Sequence, residues 1–161
     1  IVGAQATGGS GSDSLVGIEN LTGSSFNDTL SGNTAANVLD GGVGDDRLLG
    51  GLGNDVFVFS TALDAASNVD VISGYASGDH LELSGAIFTG LVVGTLDATH
   101  FFSGAGLSGS TSAAQGVGIY HDTTTGALYY DADGAGALAG VRFATLAGNP
   151  ALVAGALVVG P

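Results

Sequence analysis

GGVGDDRLLGGLGND, residues 41–55, puts six glycines and four aspartates or asparagines into fifteen positions. Glycine loses the most backbone entropy on folding, so such a run ordinarily reads as a linker, and neighbouring aspartates repel each other. The two halves nevertheless repeat at one spacing. GGVGDDRLL (41–49) and GGLGNDVFV (50–58) both fit Gly-Gly-x-Gly-x-Asp-x-apolar-x, as does GGSGSDSLV (8–16). GSSFNDTLS (23–31) and GNTAANVLD (32–40) keep the first glycine, an Asp or Asn at position six and a leucine at position eight. From Gly23 to Val58 the nine-residue period is unbroken over four units, and GIENLT (17–22) reads as an insert after the first unit. A linker has no reason to place an apolar residue at every eighth position.

The physics of the unit is specific. Its first six residues make a turn in which glycines take positive φ, and its last three make a short strand. The middle strand side chain (Leu15, Leu30, Leu39, Leu48 or Phe57) is expected to point inward. Two units complete one coil, and successive coils stack as parallel strands about 4.8 Å apart. Turns two units apart then lie over one another, with Asp28 against Asp46 and Asn37 against Asp55, while Asp13 sits in a turn displaced by the insert. Carboxylates beside carbonyls that glycine leaves bare form a cage of hard oxygen donors. Such a cage suits Ca2+, at about 2.3–2.6 Å, rather than zinc or copper. The candidate ligands are Asp13, Asp28, Asn37, Asp46 and Asp55, with the turn backbone at Gly9, Gly11, Gly42, Gly44, Gly51 and Gly53; several Ca2+ ions are expected.

Composition agrees with a cation as partner. The 161 residues carry 15 acids against two arginines and no lysine, a net charge of −13. No basic patch exists to neutralise phosphate, so neither nucleic acid nor an anionic membrane is an expected partner. The 45% hydrophobic content is too high for a disordered acidic tail. The absence of cysteine excludes disulfides and thiolate metal sites. The opening IVGAQATGG has neither a basic start nor an apolar run, so no signal peptide is read there, and the missing initiator Met suggests a fragment or a processed chain. The apolar tail ALVAGALVVGP (151–161) is too short and glycine-rich to span a bilayer, and membrane insertion is not expected.

The nonapeptide resembles the calcium-binding repeat of the RTX (repeats-in-toxin) group of secreted bacterial proteins. Two later segments strengthen the likeness. NVDVISGYASGDHLELSGAIF (68–88) is similar to the segment that follows the repeats in RTX proteases and lipases, with Tyr75 and His80 as departures from it. The resemblance implies that Asp70 and Asp79 help hold a terminal calcium; the alternative is ordinary turn and edge-strand residues. GVGIYHDTTTGALYYDADGAGALAGVRFATLAGNPAL (116–152) reads as a β-meander, with strands at 117–121, 127–131 and about 138–145. It is similar to the C-terminal block of RTX proteins exported by type I secretion, which implies the secretion machinery as a partner and a secreted, extracellular or cell-surface location. The fold expected is all-β: a parallel β-roll of right-handed coils over residues 1–60, then a β-sandwich or meander cap and secretion target region over 61–161.

No enzyme is expected in this chain, although a catalytic domain elsewhere in the parent protein is compatible with it. The sequence holds neither H-E-x-x-H nor G-x-S-x-G. His80, His100 and His121 are read as solvent-facing strand residues, in preference to a site built from His121 and Asp122. Asp131-Ala-Asp133-Gly134 begins like an EF-hand loop, but Arg142 stands at the twelfth position, so a capping turn is preferred over a separate calcium site. Two functions remain: a calcium-folded C-terminal module of an exported protein, or a self-associating structural subunit of a surface layer, adhesin or filament.

Overall fold

The computed structural model describes residues 2–6, 12–16, 18–109, 115–134, 136 and 138–161, with the backbone alone over 2–6 and 12–16. Nearly all regular structure is β. The first strands are β1 (Val2–Ala6), β2 (Ser12–Val16), β3 (Asn20–Thr22), β4 (Thr29–Ser31), β5 (Val38–Asp40), β6 (Arg47–Leu49) and β7 (Val56–Phe59). The remainder are β8 (Asp70–Ser73), β9 (His80–Ser84), β10 (Gly94–Thr95), β11 (Phe101–Gly104), β12 (Gly118–Asp122), β13 (Ala127–Asp131), β14 (Val141–Leu146) and β15 (Leu157–Gly160).

Alternate repeat strands fall into two sheets. In one, β4, β6 and β8 pair in parallel, with Leu30 beside Leu48 and Leu48 beside Ile72. In the other, β3, β5, β7 and β9 do the same, aligning Leu21, Leu39, Phe57 and Leu81. In the three-residue strands the middle residue is buried and its neighbours are partly or fully exposed, as a period of two requires when one face is covered. Leu30, Leu39, Leu48, Phe57, Ile72 and Leu81 are at most 1% exposed. Each such side chain contributes about 1.5–3 kcal/mol of burial. That is how strands of three residues are held in place. Two parallel sheets joined by tight turns around one apolar core form the expected β-roll.

GIENLT is not a passive insert. Its Asn20–Thr22 stretch forms β3, and Leu21 begins the second ladder beneath Leu39. The first nonapeptide also differs from expectation. Its residues Ser12–Val16 form β2, paired antiparallel with β1 so that Asp13 lies opposite Gln5. The nine-residue register predicts a turn at Ser12 and Asp13. Fifteen residues separate Leu15 from Leu30 where Leu30 and Leu48 are a full coil apart, so the strand at 12–16 is short of the path that the later units follow, and it pairs locally instead.

The C-terminal half extends the same sheets. Residue 60 falls in the connection between β7 and β8, and both sheets run across it. Beyond the repeats, β14 lies parallel to β8 and β15 parallel to β9, so these two strands take the place of one more coil. The meander appears as β12, β13 and β14 in antiparallel order, with β11 added in parallel at the edge. Between roll and cap the Phe143 ring meets Phe59 edge-on at 5.0 Å and Phe88 at 5.3 Å, and Phe88 packs on Tyr130 at 5.0 Å. These rings close the apolar end of the roll.

Candidate metal centre

Each repeat turn ends on an Asp or Asn whose side chain folds back under its own turn. Asp28, Asn37, Asp46 and Asp55 are between 1% and 2% exposed, despite being polar or charged. They form two ladders, one beside each sheet. In the first, Asp28 N–H donates to Asp46 Oδ1 at 2.7 Å, and Asp46 N–H donates to Asp70 Oδ1 at 3.1 Å. In the second, Asn37 N–H donates to Asp55 Oδ1, and Asp55 N–H to Asp79 Oδ1, both at 2.9 Å. Asp70 and Asp79 thus occupy the ladder positions above Asp46 and Asp55, although the nonapeptide has stopped and the step has lengthened from 18 to 24 residues. Asp46 and Asp55 stand on different ladders.

The glycines set what the second carboxylate oxygen does. In the turns led by Ser24 and Asn33, the position-two N–H donates to Asp28 Oδ2 and Asn37 Oδ1 respectively, closing the turn on itself. Gly42 and Gly51, with φ of 91° and 104°, do not close their turns in this way: Gly42 N–H donates to Asp40 Oδ1 instead, and Asp46 Oδ2 and Asp55 Oδ2 are left buried with no partner. Asp28 Oδ1 and Asn37 Nδ2 are likewise unpartnered. A buried polar atom without a partner costs about 1–3 kcal/mol, and more when charged.

Bare backbone completes the setting. A Cβ at Gly42 would stand 2.3 Å from the Ser24 carbonyl oxygen, and one at Gly51 would stand 2.1 Å from that of Asn33. At Gly44 and Gly53 it would come within 3.0 Å of the Phe26 and Ala35 carbonyls. At Gly41 and Gly50 it would fall 2.2 and 2.4 Å from the Asp46 and Asp55 Oδ2 atoms. Orphaned carboxylate oxygens, backbone carbonyls and space that only glycine leaves are the donor set of a hard divalent cation. The repeat turns contain no histidine and the chain no cysteine, so the donors they offer are oxygens and not the nitrogen and sulfur of a zinc site.

The protein groups of the ladders by themselves oppose ionisation. Burial first, then the neighbouring carboxylates, push Asp46 up to about 6 and Asp70 up to about 7. Burial also raises Asp55, with the Asp79 charge adding to it. A bound cation reverses this preference by stabilising the ionised forms.

Of the other candidates, Gly9 and Gly11 lie outside the described residues, and of Asp13 only the backbone position in β2 is described. One polar cluster was not legible in the nonapeptide pattern. Above the 41–46 turn, Asn68 Oδ1 accepts from Gly44 N–H at 2.9 Å, Asn68 Nδ2 donates to Thr61 Oγ1 and the Ala62 carbonyl, and Thr61 Oγ1 donates to the Gly42 carbonyl. Side chains of the loop between β7 and β8 therefore close that turn from above.

Of the three histidines, His121 departs from the expected solvent-facing position. His121 is 1% exposed rather than solvent-facing, because β12 is covered on both faces. Its Nδ1 lies 3.3 Å from Ser103 Oγ and its Nε2 has no partner. Asp122 is committed elsewhere: the Thr124 and Thr125 hydroxyls and the Thr124 and Gly106 N–H groups all donate to it and hold its carboxyl well below the usual range.

A two-sheet roll with acidic, glycine-cradled turns stacked along both sides defines a calcium-binding repeat module. Residues 22–57 match the family model of the RTX calcium-binding nonapeptide repeat, in four copies, and the protein carries these repeats over that stretch. The repeat is a structural calcium-binding module, its consecutive copies bind several Ca2+ ions, and proteins that carry it are typically secreted by bacteria. No curated protein matches the chain. No helix among the described residues is long and apolar enough to cross a membrane.

Proposed function

We propose that this chain is the calcium-folded C-terminal module of a secreted bacterial protein, and that calcium outside the cell drives its folding after export through a type I secretion system. The observation that carries the reading is the set of buried, unpartnered carboxylate oxygens at Asp28, Asp46 and Asp55. Each exists as part of a cage only when coils are stacked. Ligand affinity and fold stability are therefore the same free energy viewed from two sides. In a calcium-poor cytosol the net charge of −13 and the stacked carboxylates favour the open chain, a form suited to a narrow channel. In millimolar calcium the ladders of Asp28, Asp46 and Asp70 and of Asn37, Asp55 and Asp79 would hold the ions, with the carbonyls around Gly42, Gly44, Gly51 and Gly53. Asp13, with Gly9 and Gly11, belongs to the same proposed ligand set at the start of the chain. Residues 61–161 act as the cap and carry the export signal, and the apolar end of that cap is the template on which coils stack.

The test is circular dichroism of the chelated protein titrated with calcium. A large rise in β signal at millimolar calcium is expected, with magnesium far less effective. A spectrum already folded in EDTA and indifferent to calcium overturns the reading.

A further inference from the structure

Among the described residues four buried carboxylate oxygens lack any hydrogen-bond partner: Asp28 Oδ1, Asp46 Oδ2, Asp55 Oδ2 and Asp131 Oδ2. Three belong to repeat turns. The fourth lies at the end of β13 in the cap, outside residues 22–57. We propose that Asp131 and Asp133 form a further calcium site, separate from the repeat ladders.

Asp131 is 1% exposed, so its free oxygen is as withdrawn from water as those of the repeats. Its Oδ1 accepts from Asp133 N–H at 3.1 Å and from Gly134 N–H at 2.8 Å, which fixes the side chain under the DADG turn. Asp46 and Asp55 divide their oxygens in the same way, one holding backbone N–H and the other bare. The free oxygen faces a glycine here too. Gly109 has φ of 63°, and a Cβ on it would stand 3.2 Å from Asp131 Oδ2. The Asp133 carboxylate, two residues on in the same turn and accepting from Leu138 N–H through Oδ2 at 3.2 Å, supplies a second hard donor.

Among the described residues no basic side chain bonds to this pair. The chain has no lysine, and Arg142, the arginine of the cap, gives Nη2 to Thr145. A buried carboxylate facing a second one is costly unless a cation is shared between them. The capping-turn role is compatible with this site: Oδ1 serves the turn and Oδ2 the ion.

The experiment uses terbium, a luminescent stand-in for calcium, excited through tyrosine in the full chain. Tyr75 sits beside the Asp79 turn and is replaced by Phe, so that Tyr120, Tyr129 and Tyr130, all in the cap, are the remaining donors. Bright tyrosine-sensitised emission is expected from this background, falling to the EDTA level in Asp131→Asn and Asp133→Asn. Equilibrium dialysis should then count one calcium ion fewer for each variant. Asp133 is exposed and Asp133→Asn keeps its shape, so that variant decides should Asp131→Asn fail to fold. Undiminished emission and an unchanged ion count in folded Asp133→Asn overturn the proposal, whatever the repeats do.

Discussion

The Asp28 backbone N–H donates to Asp46 Oδ1 at 2.7 Å across one full coil, while Asp46 Oδ2 is buried and unpartnered. One side chain thus has two roles, tying adjacent coils and presenting an anion to a cation. Asn keeps an oxygen for the first role and removes the charge needed for the second. Asp46→Asn is therefore expected to raise the calcium concentration at the folding midpoint about tenfold, equivalent to about 1.4 kcal/mol. The calcium titration followed by circular dichroism measures it. A midpoint equal to that of the wild type removes Asp46 from the ligand set.

Acid and calcium should act as partial substitutes. Asp46 and Asp70 rise from an ordinary value of 3.8 to about 6 and about 7 in the metal-free fold, so the folded state binds protons more tightly than the open chain. Their contribution to metal-free stability is fully present below about pH 4 and is lost as pH rises through 6 and 7. Calcium needs the ionised forms, so the holo protein has the opposite slope across that window. In EDTA the folded circular-dichroism signal should grow as pH falls from 8 to 5, whereas melting temperatures in calcium should fall over the same window. An EDTA signal that instead grows with rising pH contradicts the assignment.

Two glycines with positive φ separate strain from crowding. Gly42 and Gly148 have φ of 91° and 85°, but only Gly42 faces a carbonyl at 2.3 Å, with nothing within 4 Å of a Cβ at Gly148. Gly148→Ala is expected to cost about 1 kcal/mol from φ alone. Gly42→Ala adds the collision with the Ser24 carbonyl and should destabilise by at least about 2 kcal/mol more. Thermal melts in saturating calcium check the difference, and equal losses at the two positions would mean that the coils separate readily.

The period of nine made most of the roll legible, because turn, strand and inward residue recur at fixed offsets from Gly23 to Phe57. It placed Asp28 over Asp46 and Leu30 in the core without further information. Where the period lapses, so does the pattern's reach. β3 has no Gly-Gly turn before it, and its one signal is Leu21 standing a full coil before Leu39. The burial of His121 leaves no signal in the sequence, because a strand covered on both faces shows no alternation. β15 lay hidden in an apolar tail, although Leu157 and Val159 alternate with Val158 as a half-buried strand should. Asn68 had no motif at all: its role comes from a loop that folds back over a turn more than twenty residues earlier.

That role gives the last prediction. Asn68 closes the 41–46 turn with one accepted and two donated hydrogen bonds, so the top of the turn is completed by protein alone. Removing the amide leaves Gly44 N–H buried without its acceptor, at a cost of about 1–3 kcal/mol. Asn68→Ala should therefore melt earlier in saturating calcium while binding as many calcium ions as the wild type. Equilibrium dialysis beside the melt separates the two roles: a loss of one ion would make Asn68 part of a metal cage, whereas an unchanged count with a lowered melting temperature leaves it as the clasp where the repeat gives way to the cap.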